Sequence, residues 1–531
     1  MDITFLGQAG LFIRTKAGSI LCDPWFNPAY FASWFPFPAN YRIDPESIGS
    51  PDYLYVSHLH HDHFDPEFLK THVSKQAQVL LPDYPVNDLE HELRDLGFER
   101  FIKTRDLQPV EVDGLRFTIV SLTSPTDGPI GDSALVVDDG ETRIFNQNDA
   151  HPLEADVLRA LGPHDAHFLQ FSGAIWFPMV YRFREKMKRA LTRHKREQQS
   201  RRALRYAAQV GATHVFPTAG PPCFLDDDLF YLNDLPGAPE PTIFLDQSVF
   251  LEYMRDHGDD RGQLVIPGSV VSLQGSRCEV AYPVPDDEVR AIFEDKEAYL
   301  RNYQSHMRPV IVAERAKWPR GRVDIVGSMR ALLEPLLDKA DHTCAGVNAR
   351  VLFSCGSDEV VIDFLDRRVY RWDGENCRYR FFVDPELMEA VLDSGEEDWV
   401  NSLFLSCRFE AERDGKYNEY VYNFFKCLSY ERLQYLEGYY AETTGVDETW
   451  ECAGYRVQRR CPHMKADLTE FAEVSDGVLT CTMHGWQFEL ATGRCLTSDD
   501  LRLRTEPVNG APSADQSDRR EPEVSPLAPG S

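Results

Sequence analysis

The chain has 531 residues, 43% of them hydrophobic and 12% aromatic, more than one ordinary domain needs and enough for several packed cores. A formal net charge of −29 argues against a general nucleic-acid binder, whose surface is normally basic. No apolar run reaches the ~18 residues of a membrane helix, no basic, long-cored leader opens the chain, and the twelve cysteines are scattered, so a cytoplasmic protein with neither nucleic-acid nor membrane partners is expected.

From the start, Ile3–Leu6, Leu11–Thr15 and Ser19–Cys22 alternate around glycine turns and read as a hairpin that opens a sheet. The run 51–57 predicts a buried strand that feeds directly into Ser57-His-Leu-His-His-Asp-His-Phe-Asp65. Within it His58, His60, Asp62 and His63 follow the pattern H-x-H-x-D-H. A tight turn at a strand end can aim several imidazoles and one carboxylate into a common cavity, and these donors suit zinc and iron. Divided two and two, they can hold a pair of metals that activates a water or an oxygen ligand. His61 falls outside the pattern and is expected to point outward or to support the ligands from behind. Strands are predicted at 76–82, 115–121, 133–138 and 142–146, with helices at 66–73 and 86–96 between them, which implies layered α/β architecture.

This pattern is the signature of the metallo-β-lactamase fold, and residues 1–220 resemble it, an αββα sandwich. The resemblance implies a later aspartate bridging the metals, and Asp149, after the strand 142–146, stands where it is expected. It implies a third histidine near 121–132, where the chain offers Thr126 and Asp127 instead, and another near 216–223, where there is none. His151, His167 and His214 are the remaining candidates. An incomplete set argues against an ordinary dizinc hydrolase and for one metal, or a pair with unusual coordination.

A long helix is predicted from about 183 to 210. Eleven Lys/Arg lie between Arg182 and Arg205 against two Glu, a local reversal of the overall charge. It reads either as a solvated face or as a dock for an anionic substrate or an acidic electron carrier. Residues 285–440 read as a mixed α+β region with a small meander near 350–371 and no catalytic spacing.

Toward the end, Cys461-Pro-His463 and Cys481-Thr-Met-His484 are separated by seventeen residues. Two thiolates and two imidazoles so arranged, followed by Gly485-Trp-Gln-Phe, resemble a Rieske [2Fe–2S] centre, in which two Cys hold one iron and two His the other. The competing reading, a Cys2His2 zinc site, has a poorer match in the C-x-H spacing. Cys452 and Cys495 read as packed thiols. From 506 onward the chain reads as a disordered tail.

Few families join these two modules, and residues 1–340 resemble one of them, the CMP-N-acetylneuraminate hydroxylases. The resemblance rests on Phe171-Ser-Gly-Ala-Ile-Trp-Phe-Pro-Met179 before the basic helix, on Phe216-Pro-Thr-Ala-Gly220, and on Arg320-Gly-Arg-Val-Asp-Ile-Val326. In that family the Rieske module comes first, whereas here it follows. The expected organisation is therefore a metallo-β-lactamase-like catalytic domain at 1–284, a mixed α+β region at 285–440, an all-β Rieske domain at 441–505 and a tail at 506–531. The expected activity is an O2-dependent monooxygenase acting on a polar, N-acyl or nucleotide-sugar substrate. Cys461, His463, Cys481 and His484 would hold the cluster. His58, His60, Asp62, His63 and Asp149 would hold one or two non-haem irons, with Asp62, His63 and Asp149 at the chemistry and Ser172, Gly173 and the Gly220 loop lining the pocket. Electrons would come from an external ferredoxin, a cytochrome b5-like protein or a reductase. The alternative is a hydrolase of the same fold with a regulatory cluster.

Overall fold

The computed structural model describes residues 1–508 except 85, 124–130, 174, 239–240, 276, 443–448, 463–465, 484 and 498–500. The chain divides into two units, 1–444 and 445–531.

The first unit begins with two sheets laid face to face. Strands β1 (Asp2–Gly7), β2 (Gly10–Arg14), β3 (Ser19–Cys22), β4 (Tyr53–Tyr55), β5 (Gln78–Leu81) and β6 (Phe101–Lys103) build the first. Strands β7 (Val110–Val112), β8 (Leu115–Leu122), β9 (Asp132–Asp138), β10 (Arg143–Asn148), β11 (Ala166–Gln170) and β12 (His214–Thr218) build the second, in the order β12-β11-β10-β9-β8-β7. Strands β13 (Val270–Gln274) and β14 (Arg277–Ala281) then return to the first sheet, whose order is β14-β13-β1-β2-β3-β4-β5-β6.

The inner faces meet in a core of Ile3, Phe5, Ile13, Ile20 and Leu80 against Phe117, Ile119, Leu135, Ile144 and Phe168. Period-2 alternation, with one face of each strand apolar, is what allows this packing. Helices α1 (Pro66–His72) and α2 (Asp88–Asp95) cover the outer face of the first sheet through Phe68, Leu69, Leu89 and Leu93. Helices α3 (Ala155–Leu161), α4 (Glu185–Val210) and α5 (Gln247–Asp256) lie on the second sheet's side. The result is the αββα sandwich of the metallo-β-lactamase fold. Helices α6 (Asp286–Glu294) and α7 (Lys296–Lys317) follow and pack Val289, Phe293, Leu300 and Tyr303 onto Phe35, Phe37 and Leu225.

A second sheet system completes the unit. Strands β15 (Arg350–Cys355), β16 (Asp358–Asp363), β17 (Arg368–Arg371), β18 (Tyr379–Val383) and β19 (Phe409–Arg413) run in the order β17-β16-β15-β18-β19. Helices α8 (Ile325–Leu337), α9 (Asp341–Val347), α10 (Pro385–Ser394), α11 (Glu419–Lys426) and α12 (Tyr430–Glu442) accompany it. Its core is continuous with the sandwich: Trp25, Tyr30, Trp34, Trp176 and Tyr181 share one apolar cluster with Phe353, Phe381, Trp399, Phe404 and Tyr422. The phenols of Tyr181 and Tyr422 meet at 2.6 Å inside that cluster.

The second unit is β-rich, with two three-stranded antiparallel sheets. One contains β20 (Thr449–Cys452), β21 (Tyr455–Gln458) and the last strand β25 (Thr505–Pro507), which pairs with β21. The other contains β22 (Ala472–Ser475), β23 (Val478–Cys481) and β24 (Trp486–Glu489). The tail read from 506 onward lies outside the described residues from 509. No helix among the described residues is long and apolar enough to cross a membrane.

Candidate metal centre and iron–sulfur module

The His-rich turn is built by neighbours that secure its backbone. After β4 the chain leaves the ladder, and Ser57 N donates to Asp23 Oδ1 at 2.7 Å. His63 N and Phe64 N both donate to His60 O, at 2.9 and 2.8 Å, which curls the turn. Asp65 then caps α1 by accepting from Phe68 N, and Pro66 begins the helix where no backbone donor is needed. On the facing sheet, Asn148 ends β10 at φ +43°, a left-handed conformation that Asn tolerates, and its Oδ1 accepts from the amides of Asp149 and Ala150. That bend turns Asp149 toward the histidines.

Nδ1 of His58 lies 3.2 Å from Asp132 Oδ1, and Nδ1 of His63 lies 3.3 Å from Asp23 Oδ2. Ser57 Oγ stands between the two rings, 2.9 and 3.1 Å from the same nitrogens. A proton held on Nδ1 by a carboxylate leaves the lone pair on Nε2. The Nε2 atoms of His58, His60 and His63 are buried and hydrogen-bond to nothing among the described residues, and neither does Asp149 Oδ1. Buried polar atoms normally find partners. Four orphaned donor atoms on neighbouring side chains fit a cation. His58, His60 and Asp149 bring one ligand atom each within 4.8 Å of one another, a two-histidine, one-carboxylate set of the type that suits non-haem Fe(II). His63 adjoins this set, with Nε2 3.4 Å from Asp149 Oδ2 and 3.6 Å from Asp62 Oδ2. Both Asp62 oxygens are held, Oδ2 by Gln8 Nε2 at 2.8 Å and Oδ1 by the Tyr30 phenol at 2.5 Å.

The electrostatics agree with a crowded donor set. Burial pushes His58 down, but Asp132 and Asp149 more than reverse it. Burial would lower His63 as well, but Asp149 and Asp62 override it and hold the ring well above its usual value. His60 stays well below its usual value through burial and the neighbouring His58. Burial would raise Asp149, yet His63 and His58 hold its carboxyl far below the ordinary range.

The other sequence candidates are placed as follows. His167 is a core residue away from the donor set, its Nε2 2.8 Å from Gln147 Oε1 and its Nδ1 buried without a hydrogen bond among the described residues. His214 starts β12 with Nδ1 against the Gln263 amide at 2.8 Å. His151 sits two residues beyond Asp149, within its field and that of Arg202 and Lys195. Ser172 is fully buried and turned toward the Ile243 carbonyl. His61 stacks on Tyr30 with ring centres 5.4 Å apart. Thr126 and Asp127 lie outside the described residues. The sequence reading missed the residues that hold the ligands, Gln8, Asp23, Tyr30 and Asp132. It also missed the approach of the β15–β19 sheet system, within the same unit, to the turn: Lys426, at the end of α11, acts on His60, and Glu396 interacts with His61.

In the second unit, Cys461 follows β21 and donates its amide to Ala466 O at 2.9 Å, while Cys481 ends β23 and accepts from Gly485 N at 2.8 Å. Both side chains are buried. His463 and His484 lie outside the described residues.

A metallo-β-lactamase sandwich with a histidine–carboxylate donor set, joined to a Rieske [2Fe–2S] domain, defines the class of this protein. Residues 450–505 match the Rieske [2Fe-2S] domain model, and residues 325–442 match a model described as Rv3818-like, SCP2-like domain. The chain belongs to the family of the Rieske 2Fe-2S iron-sulfur protein Rv3818 of Mycobacterium tuberculosis, with 49% identity over 514 residues, covering 95% of this chain and 99% of that one. A further relative, a UPF0173 metal-dependent hydrolase of Polynucleobacter asymbioticus, is 33% identical over 122 residues, 22% of this chain and 40% of that one. Among solved structures, an isothiocyanate hydrolase from Delia radicum gut bacteria aligns at 15% identity and TM-score 0.38, over 52% of this chain and 100% of that one. CmlA, a diiron beta-hydroxylase from Streptomyces venezuelae, aligns at 16% identity and TM-score 0.33, over 51% of this chain and 54% of that one.

Proposed function

We propose that the protein is an iron-dependent oxygenase that hydroxylates a polar substrate with O2 and electrons delivered through its Rieske cluster. The observation that carries this reading is the orphaned donor set of His58, His60, His63 and Asp149 in a chain that also contains a Rieske domain. Plain hydrolysis needs no electrons, whereas substrate hydroxylation (RH + O2 + 2e⁻ + 2H⁺ → ROH + H2O) needs two, and a Rieske centre passes them singly. Iron held by His58, His60 and Asp149, with His63 and Asp62 alongside, would supply O2 activation. Cys461, His463, Cys481 and His484 would hold the cluster.

The chain's own residues do the rest. Asp132 and Asp23 keep protons on Nδ1 of His58 and His63 and fix the ring planes. Tyr30 and Gln8 hold Asp62 in one orientation. Complete burial of His58 and His63 excludes bulk water from behind the donors. The electron donor would be a separate ferredoxin, cytochrome b5-like protein or reductase. The likeness to CMP-N-acetylneuraminate hydroxylases directs the substrate search to N-acyl and nucleotide-linked sugars.

A hydrolase with a redox-regulated cluster is the second reading, favoured by the metal-dependent hydrolase among the relatives. One experiment separates them. Anaerobically purified protein is assayed for metals, and the dithionite-reduced form is examined by EPR. Two cluster irons plus one or two more, with product formed only under O2, support the oxygenase. Zinc at the N-terminal site with turnover in the absence of O2 overturns it.

A further inference from the structure

The basic helix α4 does not present all its cations to solvent. Lys195, Gln199, Arg202 and Tyr206 follow at intervals of four, three and four, which places them on one helical face. That face is turned inward: Gln199 is 3% and Tyr206 1% exposed, and Thr192, Ala203 and Val210 beside them are buried. An inward stripe normally carries apolar residues, because a partly buried cation is costly unless paired. The Lys195 ammonium makes no hydrogen bond or ion pair among the described residues. Burial, then the adjacent Arg202, lowers its pKa to about 8.

Two further observations point to a ligand. Gln199 Oε1 is buried and accepts no hydrogen bond among the described residues. Its carboxamide lies against Gly173, where a Cβ would stand 1.9 Å from Gln199 Nε2, so any side chain at 173 would displace that amide from its present position. The stripe also leads to the metal centre. His151 stacks on Tyr206 with ring centres 6.3 Å apart, bonds Gln170, and lies in the fields of Arg202 and Lys195 on one side and Asp149 on the other.

We infer that Lys195, Gln199 and Arg202 form an anion seat, which receives a carboxylate or phosphate group of the substrate and directs its neighbouring atoms toward His58, His60 and Asp149. The inference rests on the reading of that donor set as the catalytic centre. Two cations recognise the oxyanion, and the open Gln199 acceptor calls for a hydroxyl or N–H donor next to it. The substrate class is thus a small oxyanion that carries a donor beside its charge.

The test uses the full-length, metal-loaded protein with inorganic phosphate and acetate as probes. Lysines are acylated at pH 8 and quantified by mass spectrometry, and phosphate binding is measured by calorimetry. The seat predicts that phosphate, acetate or both protect Lys195 while the exposed Lys186 labels unchanged. Lys195→Gln and Arg202→Gln should each weaken phosphate binding about 10-fold, as expected for one charge-assisted contact, with metal content and cluster absorption retained. Equal labelling of Lys195 with and without both probes overturns the seat, as does full-strength phosphate binding by both variants. Failure of the oxygenase reading looks different: the wrong metal or O2-independent turnover, with Lys195 still protected.

Discussion

Nδ1 of His58 stands 3.2 Å from Oδ1 of Asp132, a residue 74 positions later on the opposite sheet. The pair ties the His-rich turn to β9 and commits the other ring nitrogen to the cavity. Asp132→Asn keeps the shape but weakens the acceptor. Carboxylate partners of this kind are typically worth 10–100-fold in metal affinity. Chelator competition should therefore show about that loss at the N-terminal site, with the visible spectrum of the Rieske cluster unchanged. An unchanged metal affinity would mean that Asp132 does not orient His58.

The two centres should also be separable by substitution. His60→Ala removes one of the three atoms of the compact ligand set and should empty the N-terminal site while leaving the cluster's absorption intact. His463→Ala should do the reverse. The readouts are metal content and visible spectroscopy on the same samples. Loss of both centres in either variant would contradict their independence.

The division between what the sequence reveals and what it hides follows from locality. The ligand turn spans six residues, from His58 to His63, and the Rieske pairs are as compact, so spacing alone exposes both. The supports are remote: Gln8 and Tyr30 reach Asp62 across 54 and 32 residues, and Asp132 is one aspartate among many. The long basic helix is correctly read as a helix. Its inward stripe is not, because the nine Lys/Arg within it hide the apolar periodicity that would mark the buried face. The region after 325 carries no catalytic spacing, so its approach to His60 through Lys426 appears only once the chain is folded.

The Tyr181–Tyr422 pair measures how firmly the sandwich and the SCP2-like domain are joined. Both rings are buried and the hydroxyls are 2.6 Å apart. Tyr181→Phe leaves the Tyr422 hydroxyl short of a partner, and the reverse change does the same to Tyr181. Each single variant should lose about 1–2 kcal/mol. The double variant should lose less than their sum, because the second change removes the orphan created by the first. Denaturant titrations of the three variants supply the cycle, and strict additivity would show that the contact contributes nothing.

Acid sensitivity should have a specific contributor in His164. Its ring stacks on Phe145 at 5.5 Å, and both its nitrogens are buried without a hydrogen bond among the described residues. Burial, then the Arg143 cation, lowers its pKa to about 4 from the usual 6.5. The unfolded chain thus binds a proton at His164 between about pH 6.5 and 4 that the folded chain refuses. Stability rises with pH wherever the unfolded state holds more protons, so this contribution is full above 6.5 and is lost as the pH falls toward 4. Between pH 7 and 5 the loss is about 2 kcal/mol for this one group. His164→Leu sacrifices some packing at every pH but removes the titration. The difference in urea midpoint between pH 7 and pH 5 should accordingly shrink in the variant, and an equal shift in both proteins would clear His164 of the role.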